Sequence, residues 1–369
     1  MLTAIIMAGG SGERFWPLST LEKPKQLLKI FSEKTMIRET VDRILPIIKP
    51  ENIFIATNII QAKEIEKELS DIPKENIIIE PLFKDTAAAI GYSSLIIENR
   101  FKDKLKENEK IEVVVLASDH LIKKEEEFRN VILKASKEAE ENGVIVTLGI
   151  KPHKPETGYG YIEVKDKNIA LNSICKVRRF REKPSYEIAE SYLNAGNYLW
   201  NSGMFIFTTE TIFKNFEVLM EEHTEIFNEL REVLKTNLTG KELSDKVRPY
   251  FEKFEKISID FGIMEYSKNI RVIPVDIEWN DIGSFNAFDE IFPKDETGSI
   301  VIGKEIKNLD SKNNIVISED LNISLLGIED LVIVQNKENL LITRKNRTQD
   351  IKKVIFYKVN YNIIERKTK

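Results

Sequence analysis

The chain has 369 residues, 42% hydrophobic and 31% charged, with a formal net charge of -5 and a sequence pI of about 5.7. This describes a folded protein long enough for a large core and more than one domain, and it excludes the basic stripe that nucleic-acid binding demands. One cysteine, Cys175, excludes an intramolecular disulfide and a cysteine metal cluster.

The apolar stretch over residues 2–8 has no basic region before it and is too short for a signal segment or a membrane span, so a cytoplasmic protein is expected. In chain order, TAIIMA reads as a strand, TMIRETVDRILPII as a helix, NIFIATN as a strand and IIQAKEIEKELSDI as a helix. NIIIEP is then a strand, DTAAAIGYSSLIIENRFKDKL a helix and EVVVLASDH a strand. Strands apolar throughout and alternating with helices predict an α/β fold with a mostly parallel sheet. In such sheets ligands sit beyond the carboxyl ends of the strands, and Gly9, Glu80 and Asp119 each follow one.

From residue 149 the pattern loosens into TGYGYIEV, KVRRFREKP, a helix from Ser185 and LWNSGMFIFTT; residues 209–254 read as helical, and IRVIPVDIEWNDIGSF returns to a strand. Beyond residue 292 come short β-runs broken every few residues by Asn, Asp and Gly. We therefore expect a catalytic domain over 1–292 and a small β-rich domain over 293–369, built as a β-helix or meander.

The glycine loop carries the first chemical signal. IIMAGGSGERFWPLSTLEKPKQLLKI opens a strand into Gly9, Gly10 and Gly12, then Arg14 and Lys25. A glycine turn after a strand presents backbone N–H groups to phosphate. It lacks the Lys-Ser/Thr ending of a Walker loop, and Phe15 stands where a dinucleotide fingerprint needs its third glycine, which argues against a dehydrogenase. Arg14 as a fork and Lys25 as a point charge suit a polyphosphate.

Asp119 and Asp281 follow two strands of one apolar pattern and make a pair for Mg²⁺, with His120 as a supporting group; His120, His153 and His223 lie too far apart in the chain for a zinc site. A second substrate has its own candidates. Glu182 suits sugar hydroxyls and Lys183 a phosphate, Gly160 allows close backbone approach, and Asn201 both donates and accepts. Near the base, Glu80, Asp85 and Thr86 are candidates, although Glu80 serves equally well as a helix cap.

Taken together, MAGGSGERFWPLS, EPLFKDTAAAI, ASDH, GYGYI, FREKP, NYLWNSGMF, FGIMEYS and WNDIGSF, with the tail GIEDLVIVQNKENLLITRKNRTQDIKKV, resemble the mannose-1-phosphate guanylyltransferases over residues 2–356. The resemblance implies a glycosyltransferase-A-like, Rossmann-like nucleotidyltransferase domain with a small left-handed β-helix-like domain. It also implies conversion of GTP and α-D-mannose 1-phosphate to GDP-mannose and diphosphate with Mg²⁺. Gly9, Gly10, Gly12 and Arg14 would hold the triphosphate with Lys25 alongside, Asp119 and Asp281 the metal, and Glu182, Lys183, Asn201 and Gly160 the sugar phosphate. Longer relatives carry a fused isomerase domain, which is not expected in a chain of this length. Asp85 stands where the family more often has Asn, and Ala117 where it usually has Pro.

The rival readings are a sister enzyme for a heptose or glucose phosphate or another base, and a non-catalytic sugar-nucleotide sensor. A sensor should have lost Arg14, Lys25, Asp119 or Asp281, and all four are present. No nucleic-acid or membrane partner is expected. The apolar runs ISLLGI and DLVIVQ suit a homodimer surface as well as packing on the chain's own catalytic domain.

Overall fold

The computed structural model describes residues 1–355. The chain forms two compact units, one of Met1–Gly10 and Lys29–Asp281, the other of Ser11–Leu28 and the chain from Ile282 onward.

The first unit opens with β1 (Leu2–Met7), α1 (Met36–Ile44), β2 (Ile53–Asn58), α2 (Ile59–Glu68), β3 (Ile77–Glu80), α3 (Asp85–Phe101) and β4 (Glu112–Ala117). Local chemistry sets the helix starts: Thr35 accepts from the Arg38 N–H and caps α1, and Asn58 accepts from Ile60 and Gln61 and caps α2. Then come β5 (Leu121–Ile122), α4 (Glu125–Asn142), β6 (Ile145–Ile150), β7 (Tyr161–Val164), β8 (Cys175–Arg181), α5 (Tyr186–Ala195) and β9 (Tyr198–Thr208). The helical stretch after it resolves into α6 (Thr209–Leu219), α7 (Glu221–Leu234) and α8 (Gly240–Lys253), followed by a π-helical turn, Asp260–Met264, β10 (Ile270–Val275) and β11 (Trp279–Asn280).

Nine strands form one sheet in the order β3-β2-β1-β4-β9-β6-β10-β8-β7. The run β3-β2-β1-β4 is parallel, as its unbroken apolar pattern predicts, whereas β9 enters antiparallel to both β4 and β6. α3 approaches α7 so closely that a Cβ on Gly91 would lie 2.1 Å from the Phe227 ring. Cys175 opens β8 and is half-buried.

In the second unit, β12 (Ile300–Gly303), β13 (Ile306–Leu309), β14 (Ile315–Ser318), β15 (Ile323–Leu326), β16 (Leu331–Asn336) and β17 (Asn339–Arg344) surround a small core of Val316, Leu325 and Ile333. β12, β14 and β16 stack in parallel register, Ile300 on Ile315 on Val332, and β13 stacks on β15; these are successive coils of a β-helix. The short helices α9 (Phe288–Ile291) and α10 (Ile351–Ile355) belong to the same unit. A domain division at 292/293 remains our proposal. Compactness partitions the chain differently, because the loop Ser11–Leu28 clusters with the C-terminal coils, and the final stretch of the proposed 293–369 domain lies outside the described residues. Among the described residues no helix is long and apolar enough to cross a membrane.

Candidate active site

At the carboxyl end of β1 the chain is pinned by its carbonyls. Thr57 Oγ1 donates to Ala8 O at 3.0 Å, Asn58 Nδ2 to Gly9 O at 3.3 Å and Gln61 Nε2 to Gly10 O at 3.1 Å. A Cβ on Gly9 would lie 3.8 Å from Glu80 Oε1, whereas one on Gly10 would meet nothing within 4 Å. Gly9 and Glu80 thus sit together at the ends of their strands.

Glu80 is 8% exposed, and burial pushes its carboxyl up to about 8, with the negative charge of Asp85 adding to the shift. Its burial and the Glu80 charge also raise the Tyr92 hydroxyl. Glu80 does not cap α3, which has no side-chain cap. The first N–H groups there go elsewhere, Thr86 N to Asp85 Oδ1 at 2.8 Å and Ala87 N to Ile257 O at 3.2 Å. Asp85 has φ 67°, a left-handed conformation that Asp and Asn tolerate better than other side chains. Thr86 Oγ1 accepts from the Ile259 N–H at 2.9 Å.

Gly160, Glu182 and Asn201 meet at one point: a Cβ on Gly160 would lie 2.4 Å from Glu182 Oε2 and 3.3 Å from Asn201 Cβ. A side chain at 160 would have to displace the Glu182 carboxylate. Glu182 Oε2 is buried and has no hydrogen-bond partner among the described residues, while Oε1 lies 3.0 Å from Lys183 Nζ. An unsatisfied buried carboxylate oxygen costs free energy until a donor arrives, and a ligand hydroxyl is such a donor. Asn201 is oriented on both ends. Its oxygen accepts from Thr147 Oγ1 and Gly203 N, each at 3.2 Å, and its amide donates to Asp260 Oδ1 at 2.9 Å. Burial, with the charge of Glu182, raises the Asp260 carboxyl, against the pull of Lys183. A cleft of about 1230 Å³ takes in Asp85, Thr86, Glu182, Lys183 and Asp260, so candidates for both substrates share one cavity.

Asp119 and Asp281 flank the same end of a two-stranded ladder. β5 and β11 pair antiparallel, Trp279 opposite Ile122 and Asn280 opposite Leu121, so Asp281 directly follows the ladder on one strand and Asp119 stands two residues before it on the other. Trp279 Nε1 donates to His120 Nδ1 at 3.1 Å, and Tyr159 Oη donates to Asp281 Oδ1 at 2.6 Å. Two carboxylates from adjacent strand ends fit a hard divalent cation that keeps the rest of its shell for phosphate and water. Among the described residues no cluster of three or more His, Cys, Asp or Glu side chains offers an alternative metal site.

The second unit holds the other loop residues. Gly12 has φ 64°, and a Cβ there would lie 2.4 Å from Lys25 Cβ and 2.8 Å from Lys25 N, so that turn demands glycine on structural grounds alone. Arg14 is exposed, with Nη1 3.5 Å from Gly283 O. Lys25, read from sequence as a cation ready for phosphate, is only 5% exposed, with Nζ 5.3 Å from the centre of the Phe15 ring.

Two residues at these sites escaped the sequence reading. Tyr159 lies in GYGYI, which drew attention only for its glycine, and Asp260 directly precedes FGIMEYS, a motif that carried no assigned role.

A nucleotidyl transferase family model matches residues 3–298, and a MannoseP isomerase/GMP-like beta-helix domain model matches residues 304–356. Mannose-1-phosphate guanylyltransferase 2 of Escherichia coli O157:H7 is 36% identical, the alignment covering 96% of this chain and 73% of that protein. Mannose-1-phosphate guanylyltransferase of Klebsiella pneumoniae is 35% identical over 98% of this chain and 74% of its own length. Among solved structures, that of mannose-1-phosphate geranyltransferase from Thermus thermophilus superposes with a TM-score of 0.82 at 29% identity, covering 96% of this chain and 98% of that one. On these matches the chain belongs to the mannose-1-phosphate guanylyltransferase family of nucleotidyltransferases.

Proposed function

We propose that this enzyme converts GTP and α-D-mannose 1-phosphate to GDP-mannose and diphosphate by direct in-line displacement. A sugar-phosphate oxygen forms a bond to the α-phosphorus of GTP, the α–β bridging P–O bond breaks, and diphosphate leaves with its electron pair. A phosphomonoester with a second pKa near 6 is already largely dianionic at neutral pH, so no protein base is needed. The single observation that carries the reading is the shared cleft, with Asp85 and Thr86 at one place and the Glu182–Lys183 pair at another.

Glu182 would accept from sugar hydroxyls, Lys183 would bind the sugar phosphate, and Asn201 and the bare Cα of Gly160 would shape that end. Glu80, Asp85 and Thr86 are assigned to the nucleotide base. The motif, rather than any distance, assigns Gly9, Gly10, Gly12, Arg14 and Lys25 to the triphosphate. Enzymes of this family generally use a divalent metal. We assign Mg²⁺, held by Asp119 and Asp281; when bound it would neutralise charge on the phosphate oxygens. A cytoplasmic location and a homodimer are part of the same proposal.

The test is diphosphate release from each of four nucleoside triphosphates against mannose, glucose and a manno-heptose 1-phosphate. Fast release with GTP and mannose 1-phosphate alone is the expected result. Release with another pair keeps the chemistry and replaces the substrates, and no release from folded protein would leave the sensor.

A further inference from the structure

Tyr159 ties the Asp281 carboxylate to Trp200, the residue before Asn201. Its hydroxyl donates to Asp281 Oδ1 at 2.6 Å, the length of a strong charge-assisted bond. Its ring is held edge-on between two indoles, 5.2 Å from the centre of Trp200 and 5.3 Å from that of Trp279. Trp200 is 2% exposed and directly precedes Asn201 in β9. Trp279 in turn lies edge-on to His120 at 5.4 Å and donates its indole N–H to that imidazole. The rings His120, Trp279, Tyr159 and Trp200 therefore form one packed row, and the phenol is aimed from the middle of it.

We propose that Tyr159 is a positioning residue for the divalent cation: its hydroxyl fixes the plane of the Asp281 carboxylate before the metal arrives. A free aspartate must lose rotation about its last side-chain bond on binding a cation, and a donor already on one oxygen removes that cost. Partners that orient metal ligands in this way commonly carry 10–100-fold in metal affinity. The inference rests on the assignment of Asp281 as a metal ligand, and the experiment separates the two.

Mn²⁺ is titrated into the full chain without nucleotide or sugar phosphate, and free Mn²⁺ is read by electron paramagnetic resonance. Tyr159→Phe keeps the ring in its row and removes only the hydroxyl, so the thermal midpoint should hold while the Mn²⁺ dissociation constant rises roughly 10–100-fold. Trp200→Phe, which loosens the ring packing but leaves the hydroxyl, should weaken binding less than Tyr159→Phe. Equal Mn²⁺ affinity in Tyr159→Phe and unaltered protein overturns the proposal, as does a larger loss in Trp200→Phe. Asp281→Asn is the control for the underlying assignment. If it leaves Mn²⁺ binding unchanged, or if the unaltered chain binds no Mn²⁺, Asp281 is not a ligand and the proposal falls with that reading.

Discussion

Glu80 and the Glu182 side chain are each only 8% exposed, yet they sit in opposite electrostatic settings. Around Glu80 the nearby charge is Asp85, so burial and repulsion act together and the group holds its proton up to about pH 8. Around Glu182 there is Lys183 Nζ at 3.0 Å, and the amide of Asn201 serves the neighbouring Asp260. The glycines beside them differ in the same way. A Cβ on Gly160 would strike the Glu182 carboxylate, whereas Gly10 has empty space where its Cβ would be. One region pairs a buried carboxylate with Lys183 and leaves one of its oxygens without a described donor, and the other is a buried acid with a second acid as its nearby charge.

The largest expected effect comes from making the first region resemble the second. Lys183→Met removes the cation beside Glu182, and kcat/KM for the sugar phosphate should fall by about 10²–10³, the cost of deleting one preorganised charge from a transferring group. Initial rates against sugar-phosphate concentration check it, and an unchanged value removes Lys183 from the site.

Making the second region resemble the first should change stability instead. An acid whose folded pKa lies above its unfolded value gives the folded state more bound protons. The stability it supports is complete below the unfolded value of about 4.5 and is lost as pH rises through about 8. Glu80→Gln keeps the shape without the charge, so the fall in thermal midpoint between pH 5 and 8 should flatten, by at most a few kcal/mol of stability. A pH profile of the melting temperature that stays parallel to the unaltered protein would show that Glu80 is not strained by its charge. Gly160→Ala should cost about 1–3 kcal/mol, the usual range for overpacking, and raise KM for the sugar phosphate by moving Glu182.

Why was one region more legible in sequence than the other? FREKP, GYGYI and LWNSGMF pointed separately to Glu182, Gly160 and Asn201, and the structure brings those three side by side, because short motifs at strand ends survive translation into space. The strand run β3-β2-β1-β4 was readable from its apolar pattern. The direction of β9 was not, since a strand buried on both faces is apolar whichever way it runs. The proton on Glu80 and the involvement of Asp260 were hidden for another reason. Both arise from burial and from charges brought close by folding, and a sequence prints neither. The burial of Lys25 was hidden for the same cause, because nothing local announces that a lysine after Pro24 will be buried against Phe15.

Gly10 gives the smallest effect on the fold and the cleanest test of the open space beside it. Its φ is not left-handed and no described atom lies within 4 Å of a Cβ there, so the protein itself gives no reason for glycine. Alanine should therefore change stability by no more than about 0.5 kcal/mol, as at an ordinary surface position. Gly12→Ala, strained by φ and by Lys25, should cost roughly 1–3 kcal/mol. If the space beside Gly10 is where triphosphate oxygens approach the backbone, Gly10→Ala will raise KM for GTP with the melting temperature unmoved. If neither quantity changes, that space is merely open, and Gly10 has no part in binding.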